Sequence, residues 1–128
     1  MINDVVKDYC FAIKTKTSQG DYIGAIAIAD RLVYAYPNSE KGYYYRGICY
    51  FGMQRYEESV VNYKMAVKIN PLDAKAYFNL GTAYQQLQQY DLALINIGKA
   101  LILFSRQGKE DAKQKCFSAL SIIERERC

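Results

Sequence analysis

Residues recur along this chain at a fixed interval of 34. Tyr77, Gly81, Tyr84, Tyr90 and Ala100 each have a counterpart 34 residues earlier, at Tyr43, Gly47, Tyr50, Tyr56 and Ala66. A fainter third copy holds Tyr9, Tyr22 and Leu32, and Pro37 and Pro71 keep the same interval. A period of this length, built from these residue types, predicts stacked helix–turn–helix units. Each unit buries its apolar face only against its neighbours, so the expected fold is an all-α solenoid.

The punctuation agrees with the period. Pro37 and Pro71 are the only prolines, and both fall between apolar-periodic segments. A proline just past a helix cannot continue it, so each marks a stop. Asn38-Ser39 and Leu72-Asp73 then suit a turn and a helix N-cap. Second breaks fall near Gln19-Gly20-Asp21, Met53-Gln54-Arg55 and Gln88-Gln89. Helices are therefore predicted near 3–18, 21–35, 40–53, 56–69, 74–87 and 90–104. After Gly108, Lys109 to Arg127 reads as one more helix, with acids in its first turn and arginines in its last, as the macrodipole favours. Cys116, Phe117, Leu120 and Ile123 are expected on its buried face. The motif is absent there, so this helix is read as a cap over the last unit. The whole is expected to be one domain, 1–128, with units at 6–39, 40–73 and 74–107 and a capping helix at 109–127.

Composition narrows the function. Histidine is absent and the four cysteines form no CxxC pair, so no metal site, cofactor or nucleophile–base pair is expected. The reading is of a non-enzyme with reduced, mostly buried thiols in the cytoplasm, Cys128 being the exposed one. Seventeen basic and thirteen acidic residues give a formal charge of +4, mildly basic and spread over the chain, so no nucleic-acid partner is expected. The apolar runs are too short to span a membrane, and the start MINDVVKDYC lacks the basic and apolar regions of a secretory signal.

The units resemble the tetratricopeptide repeat (TPR). That pattern has an aromatic at position 4, Leu-Gly at 7–8, Tyr at 11, small residues at 20 and 27, a bulky residue at 24 and Pro at 32. The third unit supplies Tyr77, Leu80-Gly81, Tyr84, Ala93, Ile97 and Ala100, with Ser105 in place of the proline. The second supplies Tyr43, Gly47, Tyr50, Tyr63, Ala66 and Pro71, with Ser59 at position 20 and Arg46 in place of the apolar residue at 7. The first keeps Tyr9, Ala25 and Pro37 but carries Ile13 where Gly is expected and Lys16 where Tyr is expected. Ile13 implies a wider helix crossing there. From the polar, Gln-rich turns a bacterial source is expected. The resemblance implies a right-handed alpha-alpha superhelix whose concave face, lined by the first helix of each unit, holds a partner's peptide or helix.

The concave positions are 2, 5, 6, 9, 12 and 13 of each unit. Among their occupants, Lys7, Lys41 and Lys75 share position 2 and are expected to form a basic rail. Tyr44, Tyr45, Ile48, Phe51 and Phe78 are expected to form an exposed aromatic-apolar floor. Cys10, Phe11 and Gly52 also fall on these positions, as do Lys14, Asn79 and Thr82, which complete the expected groove. A TPR subclass that grips chaperone C-terminal carboxylates uses charged and amide donors where this chain has Cys10, Lys14, Tyr45, Lys75 and Asn79. Only Lys75 fits, so that clamp is not expected. The expected function is a non-catalytic protein-interaction scaffold whose partner carries acidic and apolar side chains. A self-associating module, a homo-oligomer, is the alternative, and RNA or DNA binding a remote one.

Overall fold

The computed structural model describes residues 1–128. It contains seven helices and no strand: α1 (Ile2–Ser18), α2 (Tyr22–Ala35), α3 (Glu40–Gly52), α4 (Tyr56–Ile69), α5 (Ala74–Gln86), α6 (Tyr90–Arg106) and α7 (Glu110–Arg127). Each helix packs on the next, and α1 also touches α3. None is long and apolar enough to cross a membrane.

Local chemistry sets the helix ends, and it repeats. Ser39 and Asp73, 34 residues apart, cap α3 and α5: the Lys41 amide donates to Ser39 Oγ and the Ala76 amide to Asp73 Oδ1 (3.1 Å). Helices α1, α3 and α5 all end in a left-handed residue, at Gly20 (φ 76°), Gln54 (φ 61°) and Gln88 (φ 59°). The next amide in each case, from Asp21, Arg55 or Gln89, reaches back 2.9 Å to a carbonyl of Lys16, Tyr50 or Tyr84. This six-to-one bond satisfies a helix-end carbonyl and reverses the chain. Two of the three sites lack glycine, so the turn is retained there against the left-handed penalty of a side chain.

The crossings within a unit depend on size pairing. In the third unit a Cβ at Gly81 would collide with Ile97 and lie 3.1 Å from the Ala93 carbonyl oxygen. In the second, a Cβ at Gly47 would lie 2.7 Å from the Tyr63 ring. Ser59, at the small position, donates its hydroxyl to the Gly47 carbonyl (2.9 Å). The first unit exchanges the sizes. Ile13 stands where the others have glycine, and Ala29 stands where they have Tyr63 and Ile97; both are fully buried in one cluster. The volume moved onto α1 is removed from α2, yet α1 and α2 approach over fewer residues than the later pairs do, in keeping with the wider crossing expected from Ile13.

The core has two parts. The smaller gathers Cys10, Ile13, Ala25, Ala29, Leu32 and Cys49. The larger runs from Val60 and Tyr63 through α5 and α6 to Cys116 and Ile123 of α7. Between them stands Arg46, the departure noted at position 7. Its Nε donates to Asn62 Oδ1 (2.7 Å), its Nη1 meets Asp30 Oδ1 (2.9 Å), and its guanidinium lies over the Tyr43 ring (5.3 Å). One planar side chain thereby joins α2, α3 and α4.

Helix α7 differs in one respect from expectation. Its packed face is Ala112, Cys116, Ala119 and Ile123, with Leu120 beside it, whereas Phe117 is 46% exposed. At its far end Gln85 Nε2 donates to Glu126 Oε1 (2.6 Å), and Arg127 meets Asp91 (2.8 Å).

Candidate binding groove

Helices α1, α3 and α5 lie side by side and turn one face away from α2, α4 and α6. On α3 that face carries Lys41, Tyr44, Tyr45, Ile48 and Phe51, at helical spacings of three and four. Two clefts open along it. One, of ≈ 280 Å³, is lined by Lys14, Thr17, Lys41, Tyr44, Tyr45, Ile48, Asp73 and Lys75. The other, of ≈ 240 Å³, is lined by Ile48, Phe51, Tyr63, Phe78, Asn79 and Thr82. They share Ile48. Lys7 lies outside both and borders, with Lys41, a separate cleft between the start of α1 and the α2–α3 turn.

The floor is less open than expected. Tyr44, Tyr45, Ile48, Phe51 and Phe78 are all half-buried rather than exposed. The cause is mutual packing. Tyr44 meets Tyr45 edge-on (centroids 5.1 Å apart) and tilts toward Tyr63 at 6.1 Å. Phe51 meets Tyr56 edge-on at 5.1 Å. Asn79 Nδ2 donates to the Tyr44 hydroxyl (3.3 Å), tying α5 to α3 across the floor. Burial pushes the Tyr44 hydroxyl from 10.0 up to about 12, with Asp73 adding to the effect, so it stays neutral. The four lysines, by contrast, are exposed, and Lys14 reaches over the Tyr45 ring at 5.7 Å.

Four residues placed on the groove by position depart from that expectation in different ways. Cys10 turns into the small core cluster, and burial raises its thiol above the ordinary value. Gly52 has no side chain to offer, and a Cβ there would strike the Tyr22 ring. Thr82 lines the apolar cleft, and its hydroxyl donates to the Phe78 carbonyl (3.0 Å). Phe11 is 73% exposed and borders neither cleft. Two lining residues were not foreseen. The sequence marks Asp73 as a cap, and its position immediately before α5 also sets it beside Lys75 on the cleft lining. Tyr63 was read only as core, and it reaches the floor because Gly47 leaves its ring room.

The Asn79 carbonyl oxygen, the lysine ammonium groups, the Tyr45 hydroxyl and the Asp73 carboxylate are polar groups on the lining of the two clefts. Beside them lies an apolar wall of Ile48, Phe51 and Phe78.

Comparisons with known proteins agree with the repeat pattern. A family model described as TPR repeat matches residues 47–88, and one described as tetratricopeptide repeat matches 74–104. No curated protein matches the chain in sequence. Among solved structures, the TPR2B domain of yeast Sti1, in complex with pHsp70, is 16% identical with a TM-score of 0.90, covering 95% of this chain and 98% of that one. The type III secretion chaperone SycD of Yersinia enterocolitica, in complex with a peptide of the translocator YopD, is 14% identical with a TM-score of 0.88, over 98% and 96% of the two chains. A further SycD structure, described as an alternative dimer, is 14% identical with a TM-score of 0.89, over 97% and 95%.

Proposed function

The chain is a tetratricopeptide-repeat protein, and from that premise we propose that it is a non-catalytic interaction module whose concave groove holds a segment of a partner protein. One observation carries the reading. An apolar cleft and a lysine-edged cleft adjoin on the face that α1, α3 and α5 share. The Sti1 domain and SycD, which have this fold, are each described in complex with a protein or peptide partner. The partner is read as acidic and apolar. The aromatic and aliphatic floor supplies most of the affinity, and the lysines act on encounter rate and selectivity. A protein suits the groove better than nucleic acid, because Asp73 interrupts the lysines and no continuous basic stripe follows. The four unpaired cysteines fit a reducing compartment, the cytoplasm.

The test is capture of the partner from the source cell by wild-type protein and by a triple variant, Lys14→Glu, Lys41→Glu and Lys75→Glu. These side chains are exposed, so the variant should fold, which circular dichroism checks. Capture should fall sharply at low salt, and the gap should narrow as salt rises. Undiminished capture by the folded variant would show that the groove is not the site. Tyr44→Ala is a poorer probe, because Tyr44 also holds Asn79 and packs on the core.

A second reading, self-association, draws on Val61, Leu92, Ile95 and Ile102, apolar side chains 43–62% exposed on α4 and α6. Light scattering separates it: a dimer that survives the triple variant would favour a contact away from the groove.

A further inference from the structure

The two clefts stand at a fixed distance, and that distance constrains the ligand. Along α3 the lysine cleft is bounded by Lys41 and Ile48, the apolar cleft by Ile48 and Phe51. Their midpoints are about five residues apart, or roughly 7 Å at the helical rise. An extended chain advances about 3.3 Å per residue, so side chains two residues apart on one face span nearly the same distance. A small sideways step arises because the lysine cleft spans α1 to α5 whereas the apolar cleft lies between α3 and α5, which adds up to one residue.

The two clefts also differ in charge. Lys14, Lys41 and Lys75 against Asp73 leave the first with three positive charges and one negative, a net +2. The second has no charged lining residue. Asp73 already accepts the Ala76 amide, which holds its carboxylate at the α5 cap. The lysines are flexible point charges, suited to a side-chain carboxylate in many orientations. A terminal carboxylate is better fixed by paired donors. Here one N–H of the Asn79 amide is committed to Tyr44, and Lys14 reaches over Tyr45.

We propose that the groove selects an extended internal segment in which a Glu or Asp stands two or three residues from a large apolar side chain. The acid sits among Lys14, Lys41 and Lys75, and the apolar group among Ile48, Phe51 and Phe78. This rests on the groove reading above and gives it a register. Joining two weak contacts at a matched distance makes the second effectively intramolecular, which a mismatched spacing forfeits.

The experiment is a nuclear magnetic resonance titration of isotope-labelled protein with synthetic Ser/Gly peptides, acetylated and amidated. Each carries one Glu and one Phe, spaced two, three or eight residues apart. The peptides spaced by two and three should bind at least fivefold more tightly than the peptide spaced by eight, and should shift amides around Ile48 and Phe78. Lys41→Glu, at an exposed position, should reduce them to the level of the widely spaced peptide. Equal affinity at every spacing would overturn the register while leaving the groove reading in place. Groove amides that respond to no peptide would overturn both. A free C-terminal carboxylate that tightens binding more than fivefold over the amidated peptide would overturn the internal-segment assignment.

Discussion

Two glycines in the third unit separate packing from propensity. A Cβ at Gly98, on α6, meets nothing within 4 Å. A Cβ at Gly81, on α5, collides with Ile97, and it also lies 3.1 Å from the Ala93 carbonyl oxygen. Ile97 is fully buried and the Ala93 oxygen is backbone, so neither yields cheaply. In a helix interior Gly→Ala gains about 1 kcal/mol from propensity alone. Gly98→Ala should therefore raise stability by about that amount. Gly81→Ala gains the same term but adds overpacking, which costs about 1–3 kcal/mol. Propensity cancels in the comparison, so the gap between the two variants measures the crossing alone. At about 3–5 °C per kcal/mol for a chain of this length, their Tm values should differ by several degrees or more. Gly81→Leu should fall further below. Ile97→Val should cost less in the Gly81→Ala background than in the wild type, since the two side chains contend for one space. Thermal and urea melts followed by circular dichroism supply the numbers. Equal Tm values for Gly81→Ala and Gly98→Ala would refute the close crossing.

Other perturbations test other parts of the structure. Gln54→Gly and Gln88→Gly should each stabilise by about 0.5–1 kcal/mol, the left-handed penalty less the entropy glycine adds to the unfolded chain, and the effects should add; an unchanged urea midpoint would count against the turn geometry. Burial lifts Tyr44 from 10.0 to about 12 and Cys49 from 9.0 to about 11, so the unfolded chain releases those protons first; stability should be intact below pH 9 and fall between about pH 9 and pH 12, and a flat profile in alkaline melts would contradict this burial. Hydrogen exchange should show α1 and α2 opening at lower free energy than α5 and α6, because their cluster is half the size; uniform protection would show that the two clusters melt as one. Removing residues 109–128 uncovers Phe104 and its neighbours and should cause aggregation or loss of cooperative melting; a soluble, cooperative 1–108 fragment would show that α7 is dispensable.

The helices were legible because their punctuation recurs with the period: Ser39 and Asp73 as caps, and Gly20, Gln54 and Gln88 as reversals. What the sequence obscured was the degree of cover. Periodicity assigns a residue to a face, but how far that face opens depends on its neighbours. Tyr44 and Phe51 share the groove side with Ile48 and are shielded there by Tyr45 and Tyr56. Alanine was the other blind spot. On α7, Ala112 and Ala119 share the packed stripe with Cys116 and Ile123, while the larger Phe117 looked more like core and stands outside it. Arg46 was visible as a departure from the repeat, yet nothing in its own segment pointed to Asp30 and Asn62, which lie 16 residues away in opposite directions.

The split in the core also bears on what the groove does to the fold. Tyr45 packs against the smaller cluster and Tyr44 against the larger, and their rings meet edge-on at 5.1 Å. Two adjacent residues of α3 are thus the hydrophobic junction on the groove side, as Arg46 is the polar junction on the other. The lysine cleft spans this boundary, taking Lys14 from α1 and Lys75 from α5. A ligand seated there touches both parts and binds only when both are folded. Its free energy then adds to the stability of the first unit in proportion to the logarithm of its concentration over its Kd. On the proposed groove reading, binding and ordering of α1 and α2 should be coupled, and hydrogen-exchange protection of those two helices should rise as ligand is added.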